Sequence, residues 1–194
     1  MVALHLDGSG MEGSDAVISV DHKEEVLDSE LEDLINQAGD TNKVVRKKAL
    51  ERLLKRFDEG FQGEGRKKVQ DVALKALDDK AERCRELGCN LLLALLRSQG
   101  LEQETKGLLP FLLPLLASRL GGEEVQETSE EVKTKQLELL HLLLSPSTSG
   151  ATAVYLADLV AVVTHCLQDP CPSVQRVGTV TRYPLSFLRW PDEL

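Results

Sequence analysis

Four sets of residues in this 194-residue chain are of types that could do chemistry. Gly8-Ser9-Gly10-Met11-Glu12-Gly13 has the glycine spacing of a dinucleotide site, where bare backbone lets a pyrophosphate approach a helix start. No strand of useful length precedes it, the acidic flanks repel phosphate, and no βαβ unit follows, so no cofactor is expected there. Cys84 with Cys89, and Cys166 with Cys171 beside His165, raise the possibility of zinc. Tetrahedral zinc usually draws a tighter pair such as Cys-x-x-Cys from one turn, and Cys84 falls on a helical core stripe, so these thiols read as buried structural cysteines. His5, His22, His141 and His165 are scattered, and none shares a local motif with a nucleophile or a carboxylate partner. Asp78-Asp79 and Glu123-Glu124 are paired carboxylates, but both pairs occupy turns where helix starts favour negative charge. No catalytic, cofactor-binding or metal residue is assigned, and an enzyme is not expected.

The elements that carry these residues are helices. Leu is abundant, aromatics are only 4% of the chain, and Lys, Glu and Arg interrupt the Leu-rich stretches, a composition that favours helix over sheet. The formal net charge of -9 is uneven, because residues 1–40 hold eleven Asp/Glu against the single Lys23. A nearly neutral body behind an acidic head argues against nucleic acid, which requires an extended basic field. The first twenty residues lack the basic start and apolar stretch of a secretory leader, so reduced thiols and a cytoplasmic location are expected. The longest apolar run, Leu108 to Ala117 with two prolines, is far shorter than the roughly 20 residues that span a bilayer, so no membrane is expected as a partner.

Residues 1–25 read as a disordered acidic tail, 26–177 as a repeat array and 178–194 as a non-repeat tail. Within the array, helical stretches pair across short turns. Residues 28–38 and 43–57 flank Gly39-Asp40, with Val45, Ala49, Leu53 and Phe57 on one face. Gly60 to Gly65 closes that pair. Residues 67–77 and 81–97 flank Asp78-Asp79, with Cys84, Leu87, Leu91 and Leu95 in a stripe and Gly100 placed to end the helix. Residues 108–120 and 130–144 flank a long acidic loop, where Thr128 and Glu131 fit a capping box. Residues 154–167 lead to Asp169-Pro170, and the helix that starts at Ser173 is expected to stall at Gly178.

Superposing the turns aligns Asp40 with Val45-Arg46, Asp79 with Cys84-Arg85, and Asp169 with Val174-Gln175 followed by Arg176. This resembles the HEAT repeat, and Arg46 to Arg85 spans 39 residues, close to the roughly 40–47 of such units. The resemblance implies an all-α solenoid of HEAT-type (armadillo-like) helical hairpins, about three and a half repeats long. It further implies that the turn Asp caps the second helix, that the small apolar residue docks inward, and that the Arg ladders onto acids of the next repeat. In the third repeat Glu123 and Glu124 stand where one Asp should, and Val132-Lys133 replaces Val-Arg, so the ladder is expected to break there.

The segments Ala76 to Arg85, Leu109-Pro110, Leu113 to Leu120 and Cys166 to Pro170 look like the amino-terminal repeats of the HEAT-repeat dynein axonemal assembly factors. This similarity covers residues 30–177 and implies a non-enzymatic scaffold for preassembling the dynein arms of motile cilia. The partners implied are dynein intermediate or heavy chains and cytosolic folding or assembly factors. A generic HEAT adaptor in transport, signalling or cytoskeletal assembly is the alternative. Two further expectations come from the residues themselves. The basic helix from Lys43 to Arg56 has the character of a surface for membranes, calmodulin or acidic partners, with a solvated outer helix as the preferred reading. Val154, Leu156, Leu159, Val160, Val162, Val163 and Leu167 are too many apolar residues for one narrow face, so self-association through the incomplete last repeat is expected.

Overall fold

The computed structural model describes residues 29–57, 63–98, 101–121, 126–144 and 152–185, and every regular element among them is a helix. Helix α1 covers residues 29–38. It is followed by α2 (Lys43–Phe57), α3 (Gly63–Leu77), α4 (Glu82–Arg97), α5 (Leu101–Leu120) and α6 (Glu130–Leu143). A 3-10 turn, Ala153–Tyr155, then leads into α7 (Leu156–Leu167) and α8 (Pro172–Leu185). None of the described helices is long and apolar enough to cross a membrane. The expected tail at 1–25, the part of the expected 178–194 tail beyond 185, and Gly100 lie outside the described residues.

The helices form four hairpins stacked in two rows. The even-numbered helices make one row, α2 against α4, α4 against α6 and α6 against α8, while α3, α5 and α7 each pack on the second helix of their own hairpin. The odd row is joined by α5 against α7, and α1 reaches α3 through a Lys68–Glu32 ion pair. This is the all-α solenoid expected. It follows from each hairpin having an apolar stripe that only a neighbour can cover. Helix α4 has the most neighbours, and Cys84, Leu87, Leu91, Leu92, Leu95 and Leu96 are all buried on it, which is why its apolar residues extend beyond one stripe.

Several boundaries differ from the sequence expectation. Helix α3 starts at Gly63, inside the stretch read as a closing turn. Helix α4 ends at an extended Ser98 C-cap, ahead of Gly100. Helix α5 starts at Leu101 and runs through Pro110 and Pro114. Both prolines lie on the exposed side of α5, where interior proline is tolerable because water can satisfy a carbonyl left without its N–H donor. The cap of α6 is Ser129, whose side chain accepts from Val132 N–H, one residue after the expected Thr128.

The last hairpin corrects the sequence reading most. Helix α8 does not stall at Gly178 but continues to Leu185, across the boundary expected at 177. Gly178 is buried where α8 crosses α7, and a Cβ there would lie 3.2 Å from that of Cys166. With α5 and α8 in place, Leu156, Leu159, Val162 and Val163 are covered. Among the described side chains of this hairpin, the large hydrophobics left exposed are Val154 at 83%, Val160 at 45% and Val180 at 48%. The expectation of self-association through an incomplete repeat therefore loses its premise.

Candidate interaction surface and the inter-repeat ladder

Each of the four intra-hairpin turns has a carboxylate that it uses in the same way. The backbone N–H two residues further on donates to it: Asn42 to Asp40 at 2.7 Å, Ala81 to Asp79 at 2.7 Å, Ser129 to Glu127 at 3.1 Å and Cys171 to Asp169 at 2.9 Å. These are Asx-type turns, or their glutamate equivalent, so the acid shapes the turn before the helix begins. This differs from the expected role as helix cap, for the N-cap of α4 is Ala81, which has no side-chain capping bond.

Three of these carboxylates receive a cation from the preceding hairpin. Arg46 forks onto Asp79 through Nε at 2.6 Å and Nη2 at 2.8 Å. Arg85 forks onto Glu127 at 2.7 and 2.8 Å, and Lys133 reaches Asp169 at 2.7 Å. The free arm of each guanidinium turns back to its own turn, Arg46 Nη1 to the carbonyls of Asp40 and Thr41 and Arg85 Nη1 to those of Asp79 and Lys80. Each arginine thus clamps two consecutive turns with charge-assisted bonds, while Lys133 supplies its rung through Asp169 alone. A second line of rungs runs beside the first: Ser129 Oγ donates to Glu82 at 2.9 Å, and Cys171 Sγ donates to Glu130 at 3.0 Å.

The ladder is therefore continuous through the third repeat, contrary to expectation. Glu127 stands where the turn acid belongs, and Glu123 and Glu124 lie outside the described residues. Arg119 adds a fourth cation, with Nη2 2.6 Å from Asp78 and Nη1 3.7 Å from Glu127. In the last hairpin Gln175, not Arg176, has the ladder position; its Nε2 donates to the carbonyl of Asp169 at 2.7 Å, while Arg176 is exposed. One residue before each ladder position stands an apolar residue: Val45 is half-buried, and Cys84, Val132 and Val174 are buried.

Burial by itself would raise the carboxyls of Asp79, Glu127 and Asp169. Arg46, Arg85 and Lys133, aided by the turn N–H groups, outweigh it and hold all three below their ordinary values. Stability from a depressed carboxylate is present above its unfolded pKa and is lost as pH falls through the folded one. The thermal midpoint is thus expected to stay level from neutral pH to about 5 and to fall once pH drops below about 4. A pH series of thermal melts checks this, and a flattened acid limb in Glu127→Gln assigns it to the ladder. An unchanged midpoint throughout acid would contradict it.

The cysteines and histidines take no part in a metal centre among the described residues, where no group of three or more His, Cys, Asp or Glu could hold an ion. All four thiols are free and buried, and desolvation pushes Cys89 and Cys166 up to about 12, so both stay protonated. His141 is half-buried, with a buried Nδ1. His165 is exposed, and His5 and His22 lie outside the described residues, as does the glycine motif at 8–13. Both rows of helices present side chains to solvent, and the even-numbered row is charged along its length. Lys43, Lys47, Lys48, Arg52 and Lys55 are exposed on α2, followed by Glu82 and Arg83 on α4 and Glu130 and Glu131 on α6.

Stacked helical hairpins locked by a repeating ion-pair ladder define an α-solenoid repeat protein. The matching family model covers residues 37–185 and is described as "Dynein axonemal assembly factor 5-like, TPR repeats". The chain belongs to this dynein axonemal assembly factor 5-like family. TPR and HEAT units are both helical hairpins that stack into solenoids, and the 39 residues from Arg46 to Arg85 exceed the roughly 34 of a TPR unit. The curated relatives named dynein axonemal assembly factor 5 include a Xenopus laevis protein, 30% identical over 147 residues and 73% of this chain. Those of Mus musculus and Homo sapiens are 33% and 32% identical, over 71% and 68% of the chain. The chain spans only 16–17% of the length of these relatives. No solved structure gives a significant match.

Proposed function

We propose that this chain is a non-enzymatic, protein-binding scaffold that acts in the cytoplasm in the preassembly of axonemal dynein arms. The observation that carries this reading is membership, over residues 37–185, of a family whose relatives are named as dynein axonemal assembly factors. The architecture supports it physically. A solenoid joined by buried ion pairs holds its surface side chains in fixed register, and such extended surfaces suit protein recognition. Dynein intermediate or heavy chains and cytosolic folding factors are the partners assigned, with no cofactor and no turnover.

Depletion from cells building motile cilia tests the reading. The expected outcome is axonemes of ordinary length that lack dynein arms, with dynein chains failing to assemble in the cytoplasm. Intact arms after depletion would contradict it.

A further inference from the structure

Helix α2 carries more positive charge than the fold uses. Arg46 serves the ladder, Arg56 lies 3.6 Å from Glu30, and Lys47 shares Glu51 with Arg83 at 3.7 and 3.8 Å. Lys43, Lys48, Arg52 and Lys55 are exposed and form no ion pair among the described residues. Lys48, Arg52 and Lys55 follow one another at helical spacing, a stripe about 10 Å long. They border a groove of about 580 Å³ lined also by Gln37, Val45 and Glu51. A solubilising end face needs only polar groups of mixed sign; a stripe of one sign that forms no ion pair among the described residues, with Glu30 and Asp33 of α1 only bordering its far end, favours a ligand of opposite sign.

We infer that this stripe is a docking surface for an acidic segment of a partner protein, with carboxylates spaced one and two helical turns apart and an apolar side chain seated on Val45. The inference rests on the scaffold reading above and names its surface. Nucleic acid fits less well, because the stripe is only about 10 Å long and a phosphate backbone requires an extended basic field, whereas an acidic segment of two helical turns ends within it. A membrane fits less well too. The apolar face of α2, with Ala49, Leu50 and Leu53, is already buried in the core and cannot enter a bilayer.

The test uses the full chain and a fluorescent synthetic peptide of helix-forming sequence, with Glu at i, i+4 and i+7 and one Leu, read by anisotropy. Saturable binding is expected, weakening at least about tenfold between about 50 and about 300 mM salt. The triple variant Lys48→Glu, Arg52→Glu, Lys55→Glu should weaken it by about tenfold or more, with unchanged circular dichroism. Arg182→Glu, on an exposed site of α8, should leave it unaltered. Absence of saturable binding by the full chain overturns the inference, as does binding indifferent to the triple variant or tighter binding to single-stranded RNA or anionic vesicles. If the peptide fails while the chain still recovers dynein chains from ciliating cells, this surface is wrong and the scaffold reading stands.

Discussion

Replacing Arg85 with alanine is expected to cost about 3–5 kcal/mol of folding stability, because it strands a buried carboxylate. The side chain of Glu127 has 0% exposure, and Arg85 satisfies both its oxygens. Arg119, 3.7 Å away, is too distant to take over the fork. The substitution also removes the bond from Nη1 to the carbonyl of Asp79, so two turns lose their common clamp. Arg85→Lys keeps the charge but loses the fork and should fall between the two. Arg46→Ala should cost less, since Arg46 and Asp79 retain 17% and 10% side-chain exposure and water can reach the stranded acid. Urea melts of the three variants give the order. A loss below about 1 kcal/mol for Arg85→Ala would place the pair among ordinary surface salt bridges and remove the ladder as a source of stability.

Gly88→Leu is expected to prevent the second hairpin from closing. A Cβ at Gly88 would already lie 2.9 Å from that of Ala76, 3.0 Å from the carbonyl oxygen of Ala73 and 3.1 Å from the carbonyl carbon of Ala76. Two of these three neighbours are backbone, so no side-chain rotation relieves the contact and α3 must move away from α4. Overpacking of this kind costs about 1–3 kcal/mol even for small additions, and a whole isobutyl group exceeds that range. Gly107, exposed on α5, has nothing within 4 Å of the equivalent position. There Gly107→Ala should stabilise by about 0.5–1 kcal/mol through helix propensity alone. Thermal melts of both variants separate crowding from propensity. Equal, small effects at the two sites would contradict the close approach of α3 and α4.

The stripes of α2 and α4 and the turns at Asp40, Asp79 and Asp169 were legible because side-chain periodicity and turn chemistry are local. The third rung was not. An inserted loop offers Glu123, Glu124 and Glu127 as candidates, and only distance from the helix settles the choice. Glu127 precedes Lys133 by the same six residues that separate Asp79 from Arg85. The same register identifies Gln175 over Arg176, where preference for a charged residue pointed one place too far. Gly178 looked like a helix breaker, yet it follows Asp169 at the offset by which Gly88 follows Asp79. Both are points where the two helices of one hairpin nearly touch. Contacts across helices decide these positions, and local propensity cannot report them. Arg119 lay beyond sequence reasoning altogether, since it joins the ladder only because α5 ends beside the turn of the preceding hairpin. For the candidate surface, the excess of cations on α2 was visible in the sequence. Which of them the fold consumes was not.

Affinity recovery of the tagged chain from cells building motile cilia tests the scaffold assignment most directly. Dynein heavy or intermediate chains together with cytosolic folding factors are the expected recovery, reduced in parallel with folded fraction when Arg85→Ala replaces the natural chain. Recovery of unrelated transport cargo with no dynein chain above background would contradict it.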